Sequence, residues 1–107
     1  MLDTAAVELR ASVPEDEVRV RGVIVRLHRE GDTGPGDVTI DGSISGDPGR
    51  LRRIQVNLSQ DDYNRAIEAH RRWLDVEVVG SLITRGTRSR LQPARGFSVI
   101  PEVRDLT

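Results

Sequence analysis

Between Arg53 and Leu82 the chain reads RIQVNLSQDDYNRAIEAHRRWLDVEVVGSL. Apolar residues alternate at Ile54, Val56 and Leu58. They then fall at helical spacing at Tyr63, Ala66, Ile67, His70 and Leu74, and alternate again from Val76. Alternation marks a half-buried strand, and the wider spacing marks one face of a helix. Ser59 is placed to cap that helix, because its hydroxyl can accept a bond from a free amide of the first turn. Asp61 and Asp62 then lie where the helix dipole favours negative charge, and Arg71 and Arg72 where it favours positive charge. The pattern predicts one helix over residues 60–73, set between two strands.

The rest of the chain reads as strands. VRVRGVIVRLHRE, from Val18, is a first strand, with Gly22 expected to mark a bulge or sharp bend. A bent strand of this length can serve two sheets at once. GDTGPGD (Gly31–Asp37) is expected to be a flexible loop. VTIDGSI and LRRIQVNL follow as the second and third strands. After the helix come DVEVVGSLI, a hairpin at TRGTR, RSRL, and a final FSVI beyond a break at Pro93–Gly96. A sheet this small, with one helix, covers both its faces only by curling shut, which also removes its edges. The expectation is a mainly β fold: a five-stranded barrel, one α-helix between strands 3 and 4, the helix plugging one end. At 107 residues this is one domain: an N-terminal arm at 1–16, the barrel at 17–101 and a polar tail at 102–107.

Several chemistries are excluded or disfavoured. The chain has no cysteine, so disulfides, thiolate metal sites and a cysteine nucleophile are out. The start, MLDTAAVELRASVPEDE, has neither the basic residues nor the apolar stretch of a signal peptide. No apolar run approaches the ~20 residues of a membrane span. A cytoplasmic protein with no membrane contact is expected, as a whole protein or as a domain of a longer one. The two histidines, His28 and His70, lie far apart with no ligand spacing, so no metal or other cofactor is expected. His70 reads as a structural histidine on the helix's apolar face, and His28 as a loop residue. GDTGPG lacks the Lys-Ser/Thr and the helix of a phosphate loop. Asp61 and Asp62 are explained by capping electrostatics, and no Ser-His-acid motif stands out. A non-enzymatic protein is expected.

VRVRGVIV, RIQVNL, DVEVVGSLITRGTRSRL and FSVI, in that order, resemble the OB-fold, a five-stranded Greek-key barrel whose helix lies between strands 3 and 4; the resemblance implies that Greek-key OB-like barrel here. The pair VRVRG and VEVVG is similar to the V-x-V-x-G entry of anticodon-binding and related nucleic-acid OB domains. The resemblance covers residues 17–101. It implies a ligand groove across strands 2 and 3, faced by Thr39, Asp41, Arg53, Gln55 and Asn57. The loops His28–Asp37 and Thr84–Arg88 would flank it, and Arg26, Arg88 and Arg90 would border it. The sequence departs from the family in its aromatics. Such domains stack bases on aromatic rings, whereas Tyr63, Trp73 and Phe97 all fall outside strands 2 and 3. Asp41 on the groove face, with Glu30, Asp32 and Asp37 in the first loop, would repel phosphate.

Charge is distributed unevenly. All 16 basic residues are arginine. Residues 1–49 hold five of them against ten acids, and residues 50–95 hold ten against five. That asymmetry hints at a basic face. Arg85, Arg88 and Arg90 form either a solvated hairpin face that discourages edge pairing or a grip for an anionic partner. The expected function is a non-catalytic binding module for single-stranded DNA or RNA, acting through Arg53, Gln55, Asn57, Arg85, Arg88 and Arg90. Backbone contacts would dominate, making binding weak and salt-sensitive. The scarcity of aromatics and the near-zero net charge favour a protein–protein interaction or oligomerisation module instead, and both readings stand.

Overall fold

The computed structural model describes residues 13–45 and 47–101. Among these residues five strands and one helix follow one another as β1 (Val13–His28), β2 (Gly36–Ile44), β3 (Asp47–Leu58), α1 (Gln60–Arg71), β4 (Asp75–Arg85) and β5 (Arg88–Val99). The strands close into a barrel in the order β1-β2-β3-β5-β4. All neighbours are antiparallel except β3 and β5, which run parallel and pair only from Ile54↔Ser89 to Val56↔Leu91. This is the OB-like barrel that the order of elements predicts.

The alternation seen in the sequence is what fills it. Val20, Ile24, Val38, Ile40, Ile54, Val56, Val76, Val78, Leu82 and Leu91 are buried inside. β-Branched side chains dominate because they pack well on a pleated surface. Each fully buried one contributes about 1.5–3 kcal/mol. The helix closes one end with Tyr63, Ala66 and Ala69. Ser59 caps it as expected, its Oγ accepting from the Asp62 amide at 3.3 Å. His70 donates from Nδ1 to the Ile24 carbonyl at 2.7 Å, which confirms its structural role.

Three boundaries differ from expectation. β1 begins at Val13, inside the expected arm, and residues 13–15 pair with β4; residues 1–12 of that arm and the whole of the expected tail, 102–107, lie outside the described residues. Pro14 has no amide to donate, yet the strand extends through it because β4 supplies a partner opposite. The helix ends at Arg71, because Trp73 adopts a left-handed conformation (φ 53°). The amides of Trp73 and Leu74 turn back to the carbonyls of His70 and Ala69, closing the helix in the manner usual for a glycine. Finally, β5 runs unbroken through Pro93–Gly96, absorbing it in irregular register against β4.

Gly22 answers a demand other than the expected bulge. It faces Gly42 across the β1–β2 ladder, and a Cβ there would overlap the Asp41 carbonyl and the Gly42 backbone. The register shift falls further on, between Ile24 and Arg26. β1 serves both neighbours, pairing with β4 through Val23 and with β2 from Val20 onwards.

Candidate functional site

Because the inward positions of β2 and β3 are apolar, their alternate residues face out as a polar strip. Registration aligns that strip into rungs. Arg26 on β1 pairs with Thr39, Thr39 with Gln55, and Gln55 with Arg90 on β5. On the helix side of this rung lie His28, Asp37 and Asn57; on the other side lie Asp41 and Arg53. The β3–β5 register then carries Arg88 next to Arg53, one residue before the Ile54↔Ser89 pair.

An open groove of about 640 Å³ runs over this strip, and Arg26, His28, Asp37, Thr39, Arg53, Gln55 and Arg88 line it. Asn57 and Arg90 line an adjoining depression along the start of β5. Of the six residues singled out from sequence, the structure thus brings Arg53, Gln55 and Arg88 into one groove and sets Asn57 and Arg90 beside it. Arg85 is exposed at the hairpin tip, paired with Arg88, and lines neither depression.

The two ends of the groove differ in charge. At the helix end, Asp37 accepts a hydrogen bond from Asn57 Nδ2 at 2.9 Å and lies 3.7 Å from Arg90. Arg90 also donates to Gln55 Oε1 at 3.4 Å. The Asp37 carboxylate is therefore already compensated, and its repulsion of phosphate is blunted. The same network fixes the amides: Gln55 keeps its NH₂ as a free donor and Asn57 its carbonyl as a free acceptor. At the hairpin end, Arg53 and Arg88 have no carboxylate partner among the described residues, and neither does Arg26. Asp41 stands opposite Arg53 in register without forming an ion pair.

Sequence reasoning treated the first loop as flexible. In the structure it is tied to the helix: Gln60 Oε1 accepts from the Gly34 amide at 2.6 Å, and the Arg29 guanidinium sits 4.6 Å over the Tyr63 ring. His28 and Asp37, expected only as the ends of a flanking loop, line the groove itself; Arg52, beneath it, was not foreseen. The period-two alternation that turns Arg53 outward turns Arg52 inward, and that was the available signal.

No Phe, Tyr or Trp ring lines the groove. Tyr63 and Phe97 are buried, and Trp73, 61% exposed, precedes β4 beside the Val23↔Asp75 pair. No group of three or more His, Asp or Glu side chains suited to a metal ion occurs among the described residues. No helix among them is long and apolar enough to cross a membrane.

Comparison of the chain with protein-family models, with curated proteins and with solved structures returned no match.

Proposed function

We propose that this protein is a non-catalytic binding module that holds single-stranded nucleic acid in the groove over β2 and β3. The observation that carries this reading is the convergence of Arg26, Arg53 and Arg88 on one groove, unpaired by carboxylates of the described residues, while the one described acid lining it is compensated by Asn57 and Arg90. Guanidinium groups bind phosphate oxygens in pairs of parallel hydrogen bonds. The free Gln55 donor and Asn57 acceptor can meet base edges that an unpaired strand exposes. Without a Phe, Tyr or Trp platform the bases contribute little stacking, so phosphate contacts dominate and binding falls steeply with salt. The fold resemblance to nucleic-acid OB domains supports the same groove.

A second reading has its own observation. Leu51 is 70% exposed on β3, two residues before Arg53. An exposed leucine beside arginines suits an acidic protein segment with an apolar residue.

Fluorescence anisotropy with a labelled single-stranded oligonucleotide at low and high salt tests the first reading. Saturable binding at low salt that is lost at high salt is expected. Absence of binding at low salt, at protein concentrations of order 100 μM, would leave the protein-partner reading in its place.

A further inference from the structure

The uneven charge of the groove points to more than a uniform track for a strand. Its helix end is internally neutralised through Asp37, Asn57, Gln55 and Arg90. Its hairpin end concentrates Arg53 and Arg88 beside the hydroxyl-bearing Thr87, with no carboxylate paired to either arginine among the described residues. A phosphodiester carries one charge. A terminal phosphate carries nearly two near neutral pH, with three acceptor oxygens, and two guanidinium forks match that demand better.

The spacing of these two arginines needs support, because β3 and β5 pair over only three residues, from Ile54↔Ser89 to Val56↔Leu91. Arg88 lies just outside that pairing, on a hairpin whose β4 side is held by β1 but whose β5 side has no ladder to β3 beyond Ser89. Arg52 supplies a tie on that side. Its Nη2 donates to Ser89 Oγ at 3.1 Å and to Thr84 Oγ1 at 3.3 Å, and both bonds are partly buried. Thr84 and Ser89 face each other across the β4–β5 hairpin. One β3 guanidinium therefore grips both strands of the hairpin and sets Arg88 beside Arg53.

We infer that the hairpin end of the groove is a seat for the terminal phosphate of a single strand, formed by Arg53 and Arg88, with Arg52 as its positioning residue. This rests on the nucleic-acid reading of the groove and adds to it a preference for phosphorylated ends.

The test is anisotropy at low salt with labelled hexathymidylates of one length carrying a 5′-phosphate, a 3′-phosphate or hydroxyls at both ends. An eight-nucleotide strand with hydroxyl ends adds two phosphodiester charges and so controls for the added charge. One phosphorylated form should bind about fivefold more tightly than the hydroxyl-ended form and the longer control. That ratio should fall to about one in Arg53→Gln and in Arg88→Gln, and persist in Arg85→Gln, which removes the same charge from the same hairpin. Arg52→Met should reduce the ratio and Arg52→Lys should restore part of it, with thermal melting confirming that both fold. If Arg52→Met does not fold, the Lys variant and the Arg88 variant decide alone. Equal binding of all four strands by the unaltered protein would overturn the seat while leaving the groove reading intact. Failure of every strand to bind would overturn both.

Discussion

Arg90 lies 3.7 Å from Asp37 across the width of β3, so a cation of the β5 strand neutralises the one acid that lines the groove. If this pair sets the charge of the helix end, replacing the carboxylate by its neutral isostere frees Arg90 for phosphate. Asp37→Asn should therefore tighten binding of a single-stranded oligonucleotide by about threefold at low salt, and less at high salt. Weaker binding by the variant would show that the carboxylate is needed to hold the groove together.

Salt dependence separates the arginines of the hairpin. Arg88 lines the groove and Arg85 does not. Plotting log affinity against log salt, Arg88→Ala should flatten the slope by about 0.7, the value for one contact to a single strand. Arg85→Ala should leave the slope nearly unchanged. Equal effects of the two variants would mean that only the hairpin's overall charge matters.

The barrel depends on a contact with no side chains at all. Gly22 and Gly42 face each other where β1 crosses from β4 to β2, and a Cβ at either would run into backbone of the other strand. Backbone yields less readily than a flexible side chain. Gly22→Ala should cost about 3 kcal/mol in urea unfolding. A cost under about 1 kcal/mol would show that the strands separate easily at this point.

At the helix end, Trp73 holds a left-handed conformation that only glycine adopts without strain. In a helix interior alanine is the more stabilising of the two residues. Here the order should reverse, with Trp73→Gly more stable than Trp73→Ala by about 1 kcal/mol in thermal or urea unfolding. Alanine equal to or better than glycine would mean that the chain leaves this conformation without loss.

The fold was legible because it rests on local period. The switch from Ile54-Val56-Leu58 to Tyr63-Ala66 and back to Val76-Val78 marks strand, helix and strand without any tertiary knowledge. The groove face followed from the same alternation once the order of strands was matched to a known architecture. What stayed hidden were pairings between distant segments. Nothing near Asp37 in sequence shows that Asn57 and Arg90 compensate it, since those bonds span 20 and more residues and depend on closure through the short β3–β5 pairing. Gly22 was read as a bulge because a single sequence cannot show that Gly42 sits opposite. Arg85 looked equivalent to Arg88 because the turn geometry that sends it to the exposed hairpin tip is not a matter of alternation. Arg52 was passed over because an inward arginine in a strand makes sense only beside the hydroxyls of Thr84 and Ser89.

Chemical-shift mapping tests the central claim most directly. Titrating the isotope-labelled protein with a short single-stranded oligonucleotide at low salt should move the amides of residues 37–41, 53–57 and 87–90, which line or border the groove. Resonances around Trp73 and the outer face of the helix should stay in place. Shifts centred on Trp73, or no shifts at a large excess of oligonucleotide, would contradict the account.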